Sequence, residues 1–159
     1  MSSPRGRSNH ALYLARLQLA AWNAELAREV VPAARLDEAF APAACAHLKQ
    51  AYGWFLLTLV GHSDTTVTPP ECCSELPDVA VGKAVPAEIT EFAQLEQDGW
   101  LADLLSVQFT TQTRQRPLIG RMNNLAVGAS DTPSANAVTA YADQLDAHMA
   151  RMSNSLDEY

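Results

Sequence analysis

The chain has 159 residues, of which 48% are apolar types and 18% charged. One domain of this length buries roughly two-thirds of the surface its unfolded form exposes, so it requires neither disulfides nor a metal for stability. The composition also excludes a disordered or acidic-tail protein. Eleven basic against 18 acidic residues leave a net charge of −7, the wrong sign for nucleic acid or an anionic lipid surface.

Ala occurs 27 times and Lys only twice, at Lys49 and Lys83, and so rich a supply of the best helix former leans the composition towards an all-α fold. The carboxylates concentrate in the Pro-containing middle of the chain, where they read as solvated connections. The longest apolar run, Trp54 to Val60, falls far short of the ~18 residues of a bilayer span. Residues 1–7 read as a flexible, charged N-terminus, and the amphipathic segment after them carries Asn9, His10, Arg16 and Gln18 rather than a secretory apolar stretch. A cytoplasmic location is therefore expected.

In the first helical segment Leu12, Leu19 and Leu26 repeat every seven residues, interleaved with Ala15 and Trp22, with Ser8 as N-cap and Pro32 as the stop. The second helix is expected to start with Pro42 at its first position and to run to Gly61, a suitable left-handed C′ residue. Its core stripe is Cys45, Leu48, Tyr52, Phe55, Leu56 and Leu59. Between these helices, residues 33–41 read equally well as a helical turn or a loop.

Residues 62–85 form a long connection in which Thr68-Pro69-Pro70-Glu71 resembles a capping box for one or two helical turns. Pro86 opens a third helix with Ile89, Phe92, Ala93 and Leu95; Asp98-Gly99 punctuates it, and Trp100 to Phe109 continue as a fourth. Residues 117–133 read as a second long connection or a short helix around Ile119–Leu125. Thr132-Pro133 caps a last helix in which Val138, Leu145 and Met152 repeat every seven residues. Together these elements make an all-α, single-domain bundle of four to five helices spanning 1–159.

The opening Ser8-Asn9-His10-Ala11-Leu12-Tyr13-Leu14-Ala15 with Ala21-Trp22, and the later Gly99-Trp100-Leu101-Ala102-Asp103-Leu104-Leu105, resemble a family of small all-helical bacterial proteins. So does the closing amphipathic helix ending at Tyr159. That family is catalogued only as a domain of unknown function. The resemblance implies a helical fold and carries no activity; the 117–133 connection and the Cys72-Cys73 pair lie outside its pattern.

Sites for chemistry are sparse. Three cysteines, an odd number, argue against a disulfide framework. Cys45 falls on a core stripe, and Cys72 and Cys73 fall in the first turn of the short helix, where the dipole favours a lower thiol pKa and neighbouring Glu71 and Glu75 oppose it. The plain reading is two partly buried small residues. His10, His47, His62 and His148 show no pair spacing that sets two ligands on one helix face; an antiparallel hairpin brings only His10 and His62 to the same end. His62-Ser63-Asp64 are adjacent in sequence, which is not the convergence a catalytic triad needs. No two glycines lie close enough for a phosphate-cradling loop. Arg114 and Arg116 read as complements to the end of the fourth helix, and together with Arg121 as an alternative anion contact. No catalytic residue, metal or cofactor is therefore expected.

One feature stands apart. Tyr13, Leu14 and Leu17 point away from the first helix's core stripe, and Trp54 and Leu57 point away from the second's. An antiparallel hairpin sets these second faces side by side. Either the remaining helices cover them, or they form a surface patch for a protein partner or a second copy of the chain. The two functional readings that follow are a non-catalytic interaction or self-associating module, and a small-molecule carrier or enzyme with a pocket between helices lined by Trp22, Tyr52, Trp54 and Trp100.

Overall fold

A computed structural model describes residues 3–77, 85–109 and 132–158. Helix α1 runs Pro4–Arg28, α2 Ala33–Leu59, α3 Ala87–Gln97, α4 Trp100–Ser106 and α5 Ala135–Asp157, and no strand occurs among the described residues. The chain is all-α.

Helix α1 begins earlier than its sequence suggests. Ser3 is the N-cap, its Oγ accepting from the Gly6 N–H at 3.1 Å, and Pro4 sits in the first turn, where its missing donor costs nothing. Ser8, read as the cap, is instead fully buried and donates to the Ala51 carbonyl at 2.6 Å. The helix closes at Glu29, which takes a left-handed φ of 54° and whose N–H donates to the Leu26 carbonyl at 3.2 Å.

Helix α2 corrects the sequence reading more strongly. It starts at Ala33, with Pro32 at the N-cap position, and carries Pro42 in its interior rather than at its first turn. An internal proline removes one backbone bond and crowds the preceding turn at a cost of ~3 kcal/mol. Packing offsets it: Leu36 and Ala41 are buried, and Phe40 stacks on Trp22 with the rings 6.2 Å apart and 12° from parallel. The far end matches expectation. Gly61 takes φ 71°, with His62 N–H to Leu57 O (3.0 Å) and Gly61 N–H to Thr58 O (3.1 Å), the paired bonds of a Schellman motif.

Helices α1 and α2 form an antiparallel hairpin, since Ser8 meets Ala51 while Trp22 meets Phe40. Helix α5 lies antiparallel to α1 and completes a three-helix core; Arg5 pairs with Asp157, and Arg16 with Asp143 and Asp146. The heptad residues Leu12, Leu19, Val138, Leu145 and Met152 are all buried, together with Trp22, Leu48, Tyr52, Phe55 and Leu56. Leu156, at the end of the last seam, is exposed.

The short α3 and α4 close the open side. Phe92 sits edge-on to Tyr52 and Phe55, and His148 of α5 packs against the rings of Phe92 and Trp100. Helix α4 stops at Ser106, so Val107 and Phe109 lie beyond it rather than continuing it. Lys49 of α2 donates to the Val107 carbonyl at 2.5 Å, supplying the partner that the helix end lacks. Helix α5 is capped by Ser134, not by Thr132.

The connection after α2 is a strap pressed on that helix. A Cβ at Gly53 would lie 2.4 Å from the Pro70 carbonyl oxygen and 3.0 Å from the Pro69 Cβ, so only glycine admits the crossing. The expected capping box is shifted: helical structure is limited to a 3-10 turn at Cys73–Glu75, and Glu75 reaches back to accept from the Glu71 N–H at 2.7 Å. The 117–131 stretch and the arginines Arg114, Arg116 and Arg121 lie outside the described residues.

Candidate functional site

The five side chains singled out from sequence divide between two settings. On α1 the face opposite the core is open: Tyr13 is 58% and Leu17 48% exposed. Around them on the same side, His10, Ala20, Ala21, Ala24 and Ala27 are exposed as well. On α2 the second face is covered, with Trp54 7% and Leu57 2% exposed. Arg7 of α1 covers Trp54, and alongside runs the strap. It crosses at Gly53, and Leu57 lies one helical turn further along the same face.

Leu14 and Trp54 are brought together. With Gly6, Arg7, His10, Ala11 and Gln50 they line a notch of about 280 Å³ at the edge of the open α1 face. The Arg7 guanidinium lies over the Trp54 ring, 4.9 Å from its centroid, and so keeps a cation beside an apolar notch. The apolar feature read from sequence is therefore a stripe on α1 with a cationic notch at one end.

A second polar cluster anchors the strap. The Tyr52 hydroxyl donates to Glu96 Oε1 at 2.5 Å, the Cys73 N–H donates to the same oxygen at 2.8 Å, and Cys73 Sγ lies 3.4 Å from the Tyr52 oxygen. Burial raises the Tyr52 hydroxyl pKa above its ordinary value, and the bonds to Cys73 and Glu96 reinforce the rise. Burial likewise pushes the Cys73 thiol up to about 11, with the Glu96 charge adding to it. This reverses the lowering expected from a helix dipole, because a three-residue 3-10 turn has little dipole and the thiol faces a carboxylate. The fully buried Cys45 is also pushed to about 11 by desolvation. These are thiols held protonated, unsuited to nucleophilic work. Periodicity marked Tyr52 as core, but nothing in the sequence links it to Glu96, which is 44 residues away.

Beside the strap, Ala46, Lys49, Gln50, Thr68, Pro69, Pro70, Glu71, Cys72, Glu75 and Leu105 line a cleft of about 520 Å³. Among the described residues, the aromatic side chains expected to share a pocket have separate packing partners. Trp22 is stacked on Phe40, Tyr52 packs on Phe92, Trp100 on His148, and Trp54 lies beneath Arg7.

The remaining motifs have local tasks. Asp64 Oδ1 accepts from the Thr66 N–H and hydroxyl at 2.8 and 2.7 Å, which holds its carboxyl below the usual range and fixes a turn. His62 closes the Schellman turn, His10 borders the notch, and His148 lies 3.6 Å from Glu91, which also pairs with Arg151. Among the described residues no group of three or more His, Cys, Asp or Glu side chains is placed to hold a metal ion. No helix among them is long and apolar enough to cross a membrane.

Neither the curated proteins nor the solved structures contain a match to this sequence. A family model does match, over residues 1–159. The chain belongs to that family, DUF6586, a family of unknown function.

Proposed function

We propose that this protein is a non-catalytic interaction module that works through the outer face of α1. The observation that carries the reading is the exposure of Tyr13 and Leu17, at 58% and 48%, in the middle of a well-formed helix and directly opposite its buried stripe. A helix on the outside of a bundle normally presents charged residues there, and a continuous apolar stripe rimmed by polar groups marks a contact surface. Leu14, Trp54 and Arg7 extend the surface into the adjoining notch. The raised pKa values of the buried Cys45 and the part-buried Cys73, and the commitment of Asp64 to a turn, weigh against nucleophilic catalysis.

The test is isolation of the protein from its native cell in wild-type and Leu17→Glu forms. Bound protein should accompany the wild type and be absent from the variant. The same companions on both would refute the reading. A small-molecule carrier is the second reading, supported by the 520 Å³ cleft beside Lys49. Its lining is proline, alkyl and carboxylate rather than the aromatic set expected.

A further inference from the structure

At about 100° per residue, the core side of α1 passes through Ala11, Ala15 and Trp22, and the opposite side through His10, Tyr13, Leu17, Ala20, Ala21, Ala24 and Ala27. Those outer positions are not uniform. Between residues 10 and 27 every bulky one lies in the N-terminal half of the helix and every small one in the C-terminal half, whereas outside that stretch the same side carries Gly6 and Arg28, the latter paired with Glu25. A parallel pairing of two such helices would set bulk against bulk at one end and leave a void at the other, which close packing penalises. An antiparallel pairing about residues 18 and 19 sets Tyr13 over Ala24, Leu17 over Ala20 and Ala21, and His10 over Ala27. The face is the complement of itself.

Charge points the same way. The first 24 residues hold Arg5, Arg7 and Arg16 and no carboxylate, whereas Glu25 and Glu29 lie at the far end of the helix. Within the protein Arg5 is matched by Asp157, Arg16 by Asp143 and Asp146, and Arg28 by Glu25. Among the described residues Arg7 and Glu29 are in no ion pair. The antiparallel register sets Arg7 of one copy beside Glu29 and Val30 of the other. It also delivers Val30 and Val31, 70% and 38% exposed, to the 280 Å³ notch formed by Arg7, His10, Leu14 and Trp54.

We propose that the outer face of α1 binds a second copy of this chain, the two α1 helices packing antiparallel about a two-fold axis near residues 18 and 19. This rests on the reading of that face as a docking surface and names its occupant. The overlap from Arg7 to Val30 is about 36 Å at ~1.5 Å per residue, and strips one helix diameter wide on both copies come to roughly 700 Å². That is below the ~1,200 Å² at which standard stable interfaces begin, so the dimer is reversible, with a Kd on the order of micromolar. Alanines at the crossing permit the close helix approach that gives so small an area useful packing. The pairing is isologous, which closes at two copies and does not grow.

Sedimentation velocity on the full chain from about 1 to 500 µM reads this directly. The mass should climb with concentration towards twice the 17.2 kDa of one chain and stop there. Leu17→Glu and, from the small side, Ala24→Arg should each weaken association at least about tenfold. Both positions are exposed, so circular dichroism should stay at the parent value. Arg7→Glu should weaken the dimer, and adding Glu29→Arg should restore it. A monomer at every concentration would overturn the proposal, as would a dimer indifferent to Leu17→Glu or one whose loss on Arg7→Glu is not restored by Glu29→Arg. Failure here is separable from failure of the docking reading: a monomeric chain that loses its cellular companions on Leu17→Glu would keep the docking surface and exclude only the second copy.

Discussion

Replacing Gly53 by Ala tests how the strap is held to α2. On an unobstructed helix this change stabilises by about 0.8–1 kcal/mol, because alanine loses less backbone entropy than glycine. At Gly53 the added methyl would sit 2.4 Å from the Pro70 carbonyl oxygen and 3.0 Å from the Pro69 Cβ. Ordinary carbon–oxygen contact is about 3.3–3.6 Å, so the strap must retreat by roughly 1 Å. Three residues beyond Pro70, Cys73 is tied to Glu96, so the strap is not free to retreat. Overpacking of this kind costs about 1–3 kcal/mol. Set against the propensity gain, the net effect should be a loss of about 0–2 kcal/mol. If the retreat also breaks the bonds to Glu96, each lost charge-assisted bond adds about 1.5–3 kcal/mol. Urea unfolding followed by circular dichroism would read the loss, and the thermal midpoint should fall by about 2–4 °C per kcal/mol. Alkylation of Cys73 should quicken as the strap loosens. A variant about 1 kcal/mol more stable than the parent would refute the reasoning, since it would mean that nothing crosses the helix at this point.

Truncating the seams, Leu19→Ala or Leu145→Ala, removes a fully packed side chain in each case and should cost about 2–5 kcal/mol; an unchanged denaturant midpoint would refute the packing. Glu29→Gly should raise stability by about 1 kcal/mol at dilute, monomeric concentration, because it relieves a left-handed φ of 54° in a side-chain-bearing residue; a lower midpoint would contradict this. Cys45 and Cys73 are raised from 9.0 to about 11, so the folded state keeps protons that the unfolded chain loses first. The stability they contribute is complete below pH 9 and is lost as pH rises from 9 to about 11. Chemical denaturation across that range should show the fall, and Cys45→Ala should make it shallower; a flat profile would refute the desolvation of the Cys45 thiol.

Much of the architecture is written in local pattern. Seven-residue spacing in Leu12–Leu19 and Val138–Leu145–Met152 marks core faces because helical geometry alone decides which side chains share a side, and all five are buried. Gly61 and Pro86 mark helix ends through backbone chemistry that needs no tertiary partner. The same local logic misplaced both starts in the hairpin. Ser3-Pro4 and Ser8 carry similar capping signals, and only the contact with Ala51 assigns Ser8 to the interior. Pro42 reads as a first-turn residue until Trp22, 20 positions away in sequence, supplies the stacking that carries α2 back to Ala33.

The candidate site follows the same division. Helical periodicity alone sets Tyr13, Leu14 and Leu17 off the core side of α1, and Trp54 and Leu57 off that of α2. Which of the two faces meets solvent depends on Arg7 of α1 lying over Trp54 and on where the strap runs, the latter set by a missing Cβ at Gly53 and by the bonds from Tyr52 and Cys73 to Glu96. Those partners are 44 and 23 residues from Glu96 along the chain and share no spacing rule. Amphipathic pattern determined the fold class, the core and the existence of second apolar faces, because these depend on residues within a helical turn of one another. Only the tertiary structure decided that the face on α2 is closed and the face on α1 open, because cover comes from Arg7 of α1 and from a segment whose path is set by contacts between residues far apart in sequence.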